Sequence, residues 1–167
     1  MNNDTSDNLD QLLRENACRR LVESYTYALD WMSWNELEAL FWPEATFDFG
    51  MWTGDRSEYI PWVSKLEAGY QRRLHIFSIP RLQVAAATGE GEVGAVMYFR
   101  ATNQAGKLED ELMFGRYLLG FECRTQEWRI SSLKFLMNGI QRFEPTDSGG
   151  ASFFADNLST QHPLFKR

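Results

Sequence analysis

The sequence predicts a single α+β domain, with helices first and a long antiparallel sheet after them. Two observations carry this reading. Apolar residues recur at spacings of three and four near the start, whereas from Leu74 onward they alternate in runs separated by turn residues. At 167 residues, 44% hydrophobic and 14% aromatic, the chain is long enough to bury a core and too apolar for general disorder.

Each element has its own signal. Asp7 is placed to cap a first helix over residues 9–29, whose apolar face reads Leu13, Ala17, Leu21, Tyr25 and Ala28, which leaves residues 1–8 as an N-terminal tail. Ser33 and Glu36 have capping-box spacing for a short helix over 34–41, closed by Pro43. Alternation over 45–49, with Gly50 and Gly54 beyond it, predicts a strand and a tight turn. Ser57 is placed to cap a third helix running to Ala68, with Pro61 in its first turn. Four strands follow over 74–87, 92–102, 109–124 and 128–140, separated by Gly89 and Gly91, by residues 103–106, and by Thr125 and Gln126. The domain is thus expected over 9–145. Residues 146–167 read as a tail whose Phe153, Phe154 and Leu158 suit either a lid over a pocket mouth or a subunit contact.

Composition excludes several functions. The net charge is −6 and the basic residues are scattered, which argues against nucleic acid. Apolar runs such as 93–99 are too short to span a bilayer, and the first seven residues lack the pattern of a signal peptide, so a cytoplasmic protein is expected. Cys18 and Cys123 fall in a helical and a strand pattern and read as small core residues, not as a disulfide framework or a zinc site. His162 lies in the tail, and no histidine pair has ligand spacing, so no metal is expected. The run from Gly89 to Gly94 fits GxGxxG but joins two strand patterns and carries two acids, so it reads as a turn, as does the Asp147-Ser148-Gly149-Gly150 run.

Several local strings carry a resemblance. These are Tyr27-Ala28-Leu29-Asp30, the segment from Leu40 to Phe49, the stretch around His75, and Gly115-Arg116-Tyr117 leading to Trp128-Arg129-Ile130. Together they resemble the SnoaL-like family of the NTF2-like superfamily, in the branch of scytalone dehydratase and the dehydrochlorinases. The resemblance implies a cone of curved antiparallel sheet packed against N-terminal helices, closed around an apolar pocket. It also implies that Asp30 and His75 form a His-Asp dyad that takes a proton from carbon. Leu29 and Phe49 stand where the dehydratase has tyrosines, and Leu133 or Lys134 where the dehydrochlorinase has an arginine, so neither substrate carries over.

The residues themselves leave alternatives open. Helical spacing puts Asp30 near Arg19 and Glu23 on a polar side, as a surface acid, while His75 alternates with Arg73, Phe77 and Ile79 and could be a core histidine. Tyr25 is the candidate to polarise a substrate or leaving group; Phe47, Phe49, Phe77, Phe114, Tyr117 and Asn138 are the candidate pocket walls. The expected activity is a cofactor-independent lyase or isomerase acting on a small hydrophobic, aromatic or polycyclic molecule. The alternatives are a non-catalytic small subunit similar to that of aromatic-ring hydroxylating dioxygenases, or a hydrophobic-ligand-binding protein. A homodimer or homotrimer is expected, with Tyr98, Arg100 and Arg116 as candidate contacts on strands with few acids.

Overall fold

The computed structural model describes residues 2–145. Three helices, α1 (Asn2–Asp30), α2 (Trp34–Ala39) and α3 (Arg56–Glu67), pack against a curved, unclosed sheet. Its strands are β1 (Phe41–Asp48), β2 (Thr53–Asp55), β3 (Arg72–Phe77), β4 (Arg81–Val84), β5 (Thr88–Thr102), β6 (Leu108–Arg124) and β7 (Glu127–Phe143). They lie in the order β2-β1-β7-β6-β5-β3, with β4 on the far half of β5. The sheet is mixed, because β1 runs parallel to β7. The expected tail over residues 146–167 falls outside the described residues.

Helix α1 begins at Asn2, so residues 2–8 are helical and Asp7 caps nothing. Its buried stripe is Cys18, Val22, Tyr25, Ala28 and Leu29. Leu13, expected on that face, is 58% exposed. The observed stripe is rotated relative to the expected one, which brings the last residue, Asp30, toward the sheet. Two residues past the helix end, Met32 at φ 53° stops it, with Ser33 N–H donating to the Ala28 carbonyl and Met32 N–H to that of Leu29. This left-handed stop fixes Asp30 in the final turn and uses the Ser33 backbone. The Ser33 side chain makes no cap, contrary to the expected capping box.

The capping box lies instead at Asp55, whose Oδ1 accepts from Ser57 N–H at 2.8 Å and Glu58 N–H at 3.2 Å while Glu58 accepts from Asp55 N–H. Helix α3 therefore starts before Ser57, and Pro61 sits inside it, beyond the first turn. Pro43 does not close α2 but lies within β1, where the register against β7 shifts between Phe41 and Thr46; an irregular pairing tolerates the missing N–H.

The first expected long strand is two strands, β3 and β4, broken at residues 78–80; Ile79 is 85% exposed and shares no face with His75. Gly89 and Gly91 are not a turn, because both lie inside β5. Gly91 lies where a Cβ would meet Leu82 and Phe121, so it serves close packing. Thr125 and Gln126 do form the β6–β7 turn, at φ 48° and 68°. Two register shifts along β6–β7 leave Ser131 and Asn138 as extra residues on β7 and bend the sheet around the core.

Candidate active site

Two helices end in an acid, and β3 holds a partner for each. Asp30 closes α1 and Glu67 closes α3, both at the end where the helix dipole disfavours a carboxylate. His75 and Arg73 project from one face of β3, two residues and roughly 7 Å apart. His75 Nδ1 lies 2.7 Å from Asp30 Oδ1. The same carboxylate accepts from the His75 backbone N–H at 3.1 and 3.2 Å, a donor on the free edge of the sheet. Asp30 thus grips both backbone and ring, which favours a proton on Nδ1 and leaves Nε2 as the basic nitrogen. Nε2 takes no hydrogen bond from the described residues.

Arg73 is consumed by the other acid. Its Nε donates to Glu67 Oε2 at 3.0 Å, and one terminal nitrogen donates to the carbonyls of Glu67 and Tyr70, capping α3. Both side chains are buried. Burial holds the Glu67 carboxyl above its ordinary range, opposed by the nearby His75 and by Arg73.

His75 and Glu67 line a cavity of about 120 Å³ between α1, α3 and the inner face of the sheet. Its walls include Tyr25, Tyr59, Tyr117, Phe49, Phe99 and Phe135, together with Met51, Met97, Met113 and Met137. Met51 and Met137 are also largely exposed and so mark the mouth. The Tyr25 and Tyr59 hydroxyls are 2.8 Å apart. Burial, then the adjacent Tyr59, pushes Tyr25 well above the ordinary tyrosine range, and burial does the same to Tyr59 and Tyr117. All three therefore stay protonated at neutral pH. One proton of the Tyr25–Tyr59 pair lies in their mutual bond; the second remains for a ligand or for Tyr117.

The expected site residues divide. His75, Tyr25, Phe49 and Tyr117 line the cavity, and Asp30 holds His75 from outside its lining. Phe47 is buried one layer behind, stacked on Tyr59 with ring centroids 4.0 Å apart. Phe77 packs against Tyr117 at 4.9 Å without reaching the wall. Phe114 and Asn138 are corrections to the expected wall, since both line a groove on the outer face of the sheet. Strand alternation turns Phe114 outward, and Asn138 is an extra residue at a bulge. Leu29 lines the cavity, Leu133 is core, and Lys134 pairs with Asp48 at 2.7 Å, so the last strand offers the cavity no cation.

Sequence reasoning missed Tyr59, Trp62, Glu67 and Tyr70. Their signal was present: Tyr59, Trp62, Val63, Leu66, Glu67 and Tyr70 follow helical spacing, and an acid on that apolar stripe marks a buried site. Among the described residues no cluster could hold a metal ion, and no helix is long and apolar enough to cross a membrane.

Comparison with known proteins agrees with this architecture. The sequence pattern of the SnoaL-like domain matches residues 10–134. The chain belongs to the SnoaL-like family. Among solved structures, this SnoaL-like chain is similar to a type 2 hexachlorocyclohexane dehydrochlorinase (LinA), with a TM-score of 0.76 and 20% identity over 85% of this chain and 99% of that one. It is also similar to a provisionally named scytalone dehydratase from Novosphingobium aromaticivorans, with a TM-score of 0.71 and 15% identity over 87% and 98% of the two chains. A provisionally named aromatic ring hydroxylase from the same organism gives 0.69 and 13% over 79% and 94%. At these identities the likeness is one of fold. No curated protein matches the sequence.

Proposed function

We propose that this SnoaL-like protein is a cofactor-independent lyase or isomerase that removes a proton from carbon in a small cyclic substrate. One observation carries the reading: an imidazole held at Nδ1 by a carboxylate lines an apolar cavity. His75 Nε2 takes the proton, and Asp30 stabilises the imidazolium that forms. The electron pair left on carbon either expels a leaving group from the neighbouring carbon, forming a double bond, or spreads into an adjacent carbonyl and is reprotonated elsewhere. The Tyr25–Tyr59 hydroxyl pair donates to the atom on which negative charge grows. The fold of the dehydrochlorinase and of the provisionally named dehydratase supports this class.

Size and wall chemistry narrow the substrate. Ligand sites for drug-sized molecules run to roughly 300–1,000 Å³. A cavity of about 120 Å³ suits a single ring, and its four methionines can yield to a larger one. The burial of His75 within this cavity favours an enzyme over a docking subunit, where the histidine would serve only the core.

The test is solvent deuterium exchange into a panel of small cyclic ketones. The parent should catalyse exchange, His75→Ala should reduce it by roughly 10²–10⁴-fold, and Asp30→Asn should impair it while both variants remain folded. Equal exchange by parent and both variants would remove the base from the reading.

A further inference from the structure

Along the cavity wall, Glu67 carries the one carboxyl group and His75 the one imidazole. Arg73 is bonded through Nε to one Glu67 carboxylate oxygen and through one terminal nitrogen to two backbone carbonyls. The other carboxylate oxygen, Oε1, takes no hydrogen bond from any described residue. A buried ion pair built only for stability would direct both oxygens to protein donors, because an unused acceptor in an apolar enclosure is costly. Here the unused acceptor belongs to a residue that lines the cavity, as His75 does.

We infer that Glu67 is a second ligand-binding group, accepting at Oε1 a hydrogen bond from a hydroxyl or amino group on a neutral ring, and so orienting the ring between itself and His75. This deepens the reading of the cavity as the substrate site and rests on it. The same arrangement selects against carboxylate ligands. The cavity wall offers no lysine or arginine to an anion, and a second carboxylate beside Glu67 would add repulsion inside a low-dielectric space.

Phenol, toluene and benzoate test this without turnover. They share a ring and differ in offering a donor, nothing, or a negative charge. With the full chain labelled in its histidine rings, only His75 and His162 give signals, and His75 reports cavity occupancy. Phenol should shift the His75 signal with an affinity at least about tenfold above toluene, and benzoate should leave it unmoved. Glu67→Gln should shrink the phenol preference several-fold, since a charge-assisted bond becomes a neutral one. Because that change strands Arg73, the double variant Glu67→Leu with Arg73→Met provides a folded comparison in which the preference should vanish.

Benzoate binding as tightly as phenol, no phenol binding at all, or a phenol preference that survives the double variant would each overturn the inference. These results are independent of deuterium exchange. His75→Ala can abolish exchange while the phenol preference is unchanged in the Glu67 variants, which would sink Glu67 alone; the reverse outcome would sink the base alone.

Discussion

Along β6 and β7 the inner face of the sheet presents Met113, Tyr117, Phe135 and Met137 to the cavity, while the outer face presents Phe114, Arg116, Leu136 and Asn138. Tyr117 and Phe114 are three residues apart on one strand, yet the first is buried and the second is 38% exposed. Aromatic character therefore says little about which ring meets a ligand; strand parity and the bulges decide it. The largest effect that can break this contrast is on stability. Tyr117→Ala should cost about 3–5 kcal/mol, and Phe114→Ala roughly 1 kcal/mol or less, in urea unfolding. Similar costs at the two positions would mean that the faces are not distinct.

Two glycines sharpen the same contrast. A Cβ on Gly115 would strike the Phe135 ring and the Leu136 carbonyl, whereas one on Gly139 would meet nothing within 4 Å. Gly115→Ala should cost about 1–3 kcal/mol and push Phe135 toward the cavity, weakening phenol binding as well. Gly139→Ala should stay within roughly 0.5 kcal/mol. Thermal unfolding of both variants, with phenol titrated into each, measures the pair.

What the sequence made legible follows from the range of the interactions involved. Helix and strand order depends on local periodicity, so α1, α2, α3 and the β5–β6–β7 meander could be read in advance. The parallel pairing of β1 with β7 joins elements far apart in the chain, and nothing local marks it. The site divides in the same way. His75 was visible as a rare titratable residue in a strand, but spacing along α1 turned Asp30 to solvent because the stripe was anchored on Leu13, which the fold leaves exposed. Only the resemblance turned it inward. Glu67 sits on the Tyr59–Val63 stripe, and that helical spacing is the local sign of its burial.

The acids of the two faces should respond to pH with opposite sign. On the outer face Asp110 is 2% exposed, paired with Arg100 at 2.6 and 2.8 Å and accepting from Tyr98 at 3.1 Å. Arg100 holds its carboxyl below the ordinary 3.8, so the stability it contributes is present above that value and is lost as pH falls through its lower folded value. Glu67 is raised above the ordinary 4.5 by burial, so stability declines as pH rises from 4.5 through its folded value. Asp110→Asn should flatten the loss of stability on the acid side, and Glu67→Gln should flatten the decline on the rising side. Unfolding midpoints followed from pH 3 to 8 would show this, and slopes of the same sign would break the contrast.

The smallest effect on the protomer, and the sharpest test of what the outer face is for, concerns assembly. Arg100 and Tyr98 are occupied by Asp110, and Arg116 pairs with Glu92, so the charged residues expected as subunit contacts are satisfied within the chain by acids that their strands do carry. What remains open is apolar: Ile76 is registered against Val96 and Val96 against Phe114, with exposures of 55%, 37% and 38%. A row of this kind on a broad sheet face fits a homodimer or homotrimer. Phe114→Lys should change unfolding stability by no more than about 0.5 kcal/mol, because the side chain is already half exposed, and leave phenol binding intact. In sedimentation at micromolar concentration the expected outcome is a dimer or trimer for the parent and a monomer for Phe114→Lys. A parent chain that sediments as a monomer would show that the outer face needs no partner, and that its apolar row is merely tolerated.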